Sequence, residues 1–237
     1  MVSRRVHAFN LDAWYRTGWK EALPLLRTGT QFLALQLTGF ALYGSGSFLV
    51  YRSLGGAQTA QYDAANKVFS IFTIAFSTLI SIAWTEISRA KAAGDYERLE
   101  SIHRLLHLAA LGFLLGAAMA CYASAPLTFA LTGIRVASSD TAVFAVFIGV
   151  QMMAFTSAVF LNAFERLRAQ IFAAVVSVPI FFAVAFGLLA LGWGMPSIPA
   201  ASAVATIPSL VVCFLVARRL LVTPAPAASP FGNGTIR

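Results

Sequence analysis

From Tyr51 to Arg104 the chain reads YRSLGGAQTAQYDAANKVFSIFTIAFSTLISIAWTEISRAKAAGDYERLESIHR, and the run inside it from about Ala64 to Ile87 most limits what the chain can become. That run is apolar over the roughly twenty residues a helix needs to cross hydrocarbon. Arg52 and Lys67 bracket its outer end, and Glu86, Arg89 and Lys91 close the other. Placed on a helix at about 100° per residue, Asp63, Asn66, Ser70, Thr73, Ser77 and Ser81 fall within an arc of roughly 80°. Val68, Phe69, Phe72, Phe76 and Leu79 occupy the opposite side. Lipid supplies no hydrogen-bond partner, so this polar row is expected to face other helices or a watery cavity.

Composition extends the argument to the whole chain. Its 237 residues are 59% hydrophobic and only 11% charged, with a mean hydropathy of +0.77, which excludes an ordinary soluble domain. The fold class expected is an all-α integral membrane bundle. A net charge of +8 would point a soluble protein toward nucleic acid, but here it reports orientation, and no nucleic-acid partner is expected. The two cysteines, Cys121 and Cys213, lie in apolar runs with no ligand cluster around them and read as small buried hydrophobes.

Six spans are predicted, at about 30–50, 64–87, 105–125, 141–161, 171–191 and 197–217. Before them, residues 1–28 set Trp14, Tyr15 and Trp19 among Arg4, Arg5, Arg16, Lys20 and Arg27, a pattern suited to an amphipathic segment in the cytoplasmic headgroup layer. No cleavable signal peptide is expected there. After them, 221–237 is rich in Pro, Ala, Gly and Ser and reads as a disordered cytoplasmic tail. The loop Ser88 to Arg104 predicts a turn at Gly94 followed by an amphipathic helix with a solvated, mixed-charge face. Pro126 is expected to close span three, and Gly112, Gly116 and Ala120 form a stripe on it that permits close helix approach. Pro179 reads as a kink within span five. With both termini cytoplasmic, all of the 17 lysines and arginines except Arg52, Lys67 and Arg135 fall on the inner side, as the positive-inside rule requires.

Chemistry is restricted by what is missing from this pattern. There is no GxSxG, HExxH or phosphate-binding loop, and Asp63 and Glu86 would stand roughly 30 Å or more apart on one helix. No catalysis, cofactor or metal is expected; His103 and His107, four apart, lack a third ligand. What remains is a pair of helices with polar faces. On span one Gln36, Gly39, Tyr43, Gly46 and Ser47 share an arc of about 100°. Either small residues there pack closely against a neighbour, or this face meets the row on span two across a cavity. Arg52 and Lys67 either snorkel to headgroups or mark a pathway.

The runs LGGAQTAQYDAANKVFSI (Leu54 to Ile71), WTEISRAKAAGDYERL (Trp84 to Leu99) and LNAFERLRAQ (Leu161 to Gln170) resemble, in order and spacing, the C-terminal half of Wzx-type polysaccharide flippases. Those belong to the multidrug/oligosaccharidyl-lipid/polysaccharide exporter superfamily, whose fold is MATE-like. The resemblance covers about Leu25 to Leu220. It implies a multi-pass protein of the bacterial inner membrane that moves undecaprenyl-diphosphate-linked oligosaccharide by alternating access, in O-antigen and related polysaccharide assembly, with two six-helix lobes around a cationic cavity. On that view Arg52 and Lys67 would attract diphosphate. Asn66, Ser70, Thr73, Gln36 and Tyr43 would bond sugar hydroxyls, and Asp63 would couple transport to an ion.

One departure is large: such flippases carry twelve or more spans, and this chain has about six, one lobe. The partners implied are therefore lipid-linked oligosaccharide, membrane lipids and a second lobe, either another copy or a separately encoded half, since a lone half cannot close a pathway. Two other readings stand beside it. One is a lobe of a MATE-like small-molecule exporter, and the other a non-transporting membrane scaffold for glycan assembly.

Overall fold

The computed structural model describes residues 19–222, and every element in them is helical. The segment 1–18 and the tail 223–237 lie outside the described residues, and with them most of the expected headgroup segment and cytoplasmic tail. In chain order the helices are α1 (Trp19–Gly39), a five-residue π turn (Phe40–Gly44), α2 (Gly46–Leu54), α3 (Gly56–Ala93), α4 (Tyr96–Tyr122), α5 (Ser124–Thr132), α6 (Ser138–Ala163), α7 (Leu167–Ala190) and α8 (Ser197–Val222). Five of these are long and apolar enough to cross a membrane, and the bent pair of Gly29–Gly44 with Gly46–Leu54, counted as one span, brings the number to six. This is an all-α membrane bundle. Its outward surfaces carry Ile71, Ile74, Leu108, Leu115, Phe172 and Phe186, apolar side chains that lipid accepts and water does not.

α6 is the centre of the bundle. It is apolar all round and buried along most of its length, as a helix surrounded by others must be. α8 packs along both α6 and α7, α4 along α6, and α3 against α2, α4, α5 and α6. Phe144 of α6 is the hub on this side, stacked on Phe69 at 5.8 Å and tilted against Tyr62 at 5.4 Å. The two ends of the bundle are tied separately. At one end Gln58 accepts a hydrogen bond from the Met195 amide at 3.3 Å, joining the start of α3 to the α7–α8 turn. At the other Lys91 donates to the Ala163 carbonyl at 2.9 Å and lies over the Phe164 ring, joining the end of α3 to the end of α6. The positive-inside expectation would place this second end, where the basic residues gather, on the cytoplasmic side.

Several boundaries differ from the sequence expectation, each for a local reason. α1 begins at Trp19, so the helix of the expected headgroup segment runs straight into span one. Span one is broken, because the Phe40–Gly44 turn closes with the Ser45 amide bonding the Phe40 carbonyl at 3.0 Å, an i to i+5 bond, and a bend of 40° follows. The turn at Gly94 is present at φ +69, where the residue's left-handed backbone ends α3. Asp95 then caps the next helix by accepting from the Arg98 amide. The amphipathic helix expected after it is the first turns of α4, continuous with span three. Its solvated face carries Arg104–Glu100 and Arg98–Glu86 ion pairs. Pro126 does not stop the chain but sits in the first turn of α5, where proline's missing N–H costs nothing. Of the Gly112–Gly116 stripe, Gly116 meets Phe72 and Gly112 faces open space. Pro179 and Pro208 both sit inside unbroken helices.

Candidate functional site

The structure separates the residues expected to form one site into two groups. Gln36 and Tyr43 belong to a cleft among α1, α6, α7 and α8, whereas Arg52, Asp63, Asn66, Lys67, Ser70 and Thr73 lie on α2 and α3. That cleft contains no residue of the Asp63–Ser81 row, so of the two alternatives for the span-one face a cavity shared with that row does not form, and Gly46 packs closely against Tyr62 of α3 instead. The cause is the π turn. Its wider winding and the bend after it shift the helical phase, so Gln36, Gly39 and Tyr43 turn to the cleft while Gly46 and Ser47 turn to α3.

On the α2–α3 side one contact fixes the geometry. Ser47 donates to the Asp63 carboxylate at 2.5 Å, and Gly46 lies against the Tyr62 hydroxyl so closely that a Cβ there would collide with it. This pair sets Ser47 and Asp63 at one height. Arg52 lies about one and a half turns beyond Ser47 toward the Gly55 turn, and Lys67 about one turn beyond Asp63 away from it. Their backbones are therefore about 13 Å apart along the axis, with the Ser47–Asp63 bond between them. Both cations are exposed. The three ion pairs among the described residues all gather at the opposite end, on Glu86 and Glu100, and neither Arg52 nor Lys67 takes part in one. Counted back from Glu86, about twenty residues of hydrocarbon crossing end near Lys67. The cationic pair thus stands at the end of the crossing opposite Glu86.

The polar row itself divides along its length. Asp63, Asn66, Ser70 and Thr73 are half-buried, and Ser77 and Ser81 are exposed. Three of its hydroxyls bond their own helix: Ser70 donates to the Lys67 carbonyl, Ser77 to that of Ile74 and Ser81 to that of Ser77. A serine satisfied this way needs neither neighbour nor water. The premise that every member of the row requires a polar surrounding is corrected for these three; it holds with most force for Asp63, the one charged member, whose partner Ser47 comes from another helix.

The cleft is the second group, with a volume of about 300 Å³. α8 holds the π turn in place on its wall. Ser202 donates to the Leu42 carbonyl at 2.9 Å. Thr206 gives its single hydroxyl hydrogen to the Ser202 carbonyl at 2.7 Å, so Tyr43, at 3.2 Å, is the donor to the Thr206 oxygen. The Tyr43 ring packs between Phe147 and Phe155. Deeper in, the side-chain oxygens of Asn162 and Gln170 are buried without a hydrogen-bond partner, and both residues line this cleft. Buried amide oxygens normally find partners, so these two mark a place where an uncharged ligand or water would be bonded. Sequence reasoning missed both, which fall between the spans expected at about 141–161 and 171–191. A signal was present in two amides flanking a very short turn, but nothing in the spacing placed them opposite Gln36.

A bundle of this architecture, with apolar outer surfaces and polar groups turned into a cleft between its helices, defines a multi-pass membrane protein. Protein families, curated proteins and solved structures were compared with the chain, and none matches it.

Proposed function

We propose that this chain is one lobe of a flippase for lipid-linked oligosaccharide. It would work by alternating access with a second six-helix lobe in the bacterial inner membrane, in polysaccharide or O-antigen export. The observation that carries this reading is the pair of exposed, unpaired cations, Arg52 and Lys67, held about 13 Å apart on either side of the Ser47–Asp63 bond at the outer end of α2 and α3. Guanidinium and ammonium groups at this depth suit a diphosphate. Asn66 and Thr73, half-buried on the adjoining turns, suit sugar hydroxyls, and Gln36 and Tyr43 serve the separate cleft instead. The α3 face that carries Ser77 and Ser81 is uncovered by the other helices described, which fits a lobe whose partner supplies the opposite wall.

Export of glycan to the cell surface, measured in cells with matched protein levels, tests the reading. A charge-assisted hydrogen bond contributes about 1.5–3 kcal/mol, so Arg52→Ala with Lys67→Ala is expected to lower export on the order of 100-fold. Export at the unaltered level would remove the diphosphate role. Asp63→Asn keeps an oxygen for Ser47 but removes the charge. It is expected to retain the folded protein and abolish the dependence of export on an ion gradient; a gradient dependence that persists would exclude Asp63 from coupling.

One observation favours a second reading, a lobe of a small-molecule exporter. The cleft is aromatic and uncharged, with Phe32, Tyr43 and Phe155 on its walls, which suits an apolar solute better than a diphosphate. Loss of drug efflux together with intact glycan export in a Tyr43→Ala variant would support it.

A further inference from the structure

At the cytoplasmic end the first turns of α4 and the last turns of α8 enclose a groove that is basic at its mouth and apolar within. Arg104 and Arg218 line the mouth with His103, His107 and Glu100, in a cleft of about 490 Å³. Beside it lies a furrow of about 350 Å³ walled by Met153, Val211 and Leu215. His107 and Phe214 line both, so the two adjoin. Among the described residues Glu100 is the one carboxylate lining the mouth, and Arg104 already bonds it at 3.3 Å. A guanidinium, that of Arg218, is left over, and an anion is the complement.

The imidazoles reinforce the arrangement. Phe160 and Phe214 pack against the His103 ring, which lies 4.3 Å from that of His107. His107 uses its Nδ1 on the His103 carbonyl at 2.8 Å. His103 Nε2 is buried with no hydrogen-bond partner. A carbonyl can only accept, so His107 Nδ1 carries a hydrogen. The pair thereby sits at the edge of the groove, with His103 Nε2 buried and unbonded.

We propose that this groove seats an anionic phospholipid of the cytoplasmic leaflet, its phosphate between Arg104 and Arg218 and one acyl chain along the furrow past Phe214, Val211 and Leu215. Three observations choose this occupant. The groove lies at the end where the chain's cations gather, the end that faces anionic lipid. Its charge surplus is positive and guanidinium matches phosphate oxygens. An uncharged furrow adjoins the basic mouth in the way a tail adjoins a headgroup. A free phosphate would use only the mouth, and a second copy of this chain would bring another set of cations to it. The inference is independent of the transport reading, since the groove shares no residue with Arg52, Asp63 or Lys67.

The test is native mass spectrometry of the full chain, released from neutral detergent with phosphatidylglycerol or phosphatidylcholine added at equal concentration. One phosphatidylglycerol per chain is expected to be retained, at least tenfold over phosphatidylcholine. Arg104→Gln with Arg218→Gln should reduce that retention about tenfold, and the paired lysine changes, which keep the charge, should restore most of it. Val211→Trp, which fills the furrow at an exposed position, should also reduce it. An unaltered melting temperature in each variant establishes that the fold persists. Equal retention of the two lipids, or no effect of the glutamine pair, would overturn the site. Displacement of the lipid by millimolar glycerol phosphate, or full retention in Val211→Trp, would overturn the seated acyl chain. A dimer whose lipid-free form depends on Arg104 and Arg218 would replace the lipid with a second copy.

Discussion

Valine at position 46 should open the α2–α3 hairpin and disable the cationic pair with it. Gly46 lies under the Tyr62 ring, and a Cβ placed there meets the ring's Cζ at 2.7 Å as well as its hydroxyl. Tyr62 cannot step aside, because it is buried and its ring is packed on Phe144 at 5.4 Å. Overfilling a packed contact costs typically about 1–3 kcal/mol, and two further methyl groups on a β-branched residue place Gly46→Val at the upper end of that range. The loss should be seen in thermal unfolding in detergent. It should also be seen in local geometry: cysteines introduced by Ser47→Cys and Asp63→Cys should form a disulfide readily with Gly46 present and poorly beside valine. Gly39→Val is the control, since a Cβ there meets nothing within 4 Å. If the two valine variants unfold alike and crosslink alike, the close approach of α2 to α3 is not what sets the height of Arg52 against Lys67.

Phe144→Ala should be the most destabilising single truncation in the bundle. The side chain is 1% exposed and touches two aromatic rings of α3 at once, Phe69 and Tyr62. Removing a buried phenylalanine costs about 3–5 kcal/mol, against a total stability of about 5–15 kcal/mol for a typical domain. A large share of the protein should therefore be lost to unfolding at temperatures where the parent is folded, and the α3 side should loosen first, visible as faster amide exchange from Tyr62 to Phe69. Phe172→Ala, at a side chain 70% exposed toward the lipid, should leave the melting temperature within a degree or two of the parent by the scale of surface substitutions, which is about 0.5 kcal/mol. Equal losses at the two positions would mean that α6 is not the packing centre.

Both predictions rest on contacts that no pattern in the chain announces, and the same holds for much of the candidate site. The row Asp63, Asn66, Ser70, Thr73, Ser77, Ser81 was legible because a regular helix turns equal spacing into a shared face. What that spacing leaves open is where each hydroxyl sends its hydrogen. Ser70, Ser77 and Ser81 send theirs to carbonyls of their own helix, so a polar stripe on paper need not be a polar surface in space. The arc on span one failed for a related reason. Projecting Gln36 through Ser47 onto one wheel assumes one winding, and the i to i+5 turn at Phe40–Gly44 breaks it. The acceptors Asn162 and Gln170 were invisible as a pair because they lie on different helices, and only the three-residue turn between α6 and α7, with α8 packed along both, brings both to the cleft with Gln36.

By itself the sequence determined that this chain spans a membrane as a bundle of helices and which of its ends gathers the cations. Both follow from solvent: hydrocarbon accepts only long runs of apolar side chains with internally bonded backbone, and that demand is written residue by residue. Only the tertiary structure decided which polar groups meet. Gln36 and Tyr43 turn to α6, α7 and α8, while Arg52 and Lys67 stand apart on α2 and α3 around Ser47 and Asp63, because a bend of 40° in span one and the fit of Gly46 to Tyr62 are properties of helices packed together rather than of any one of them.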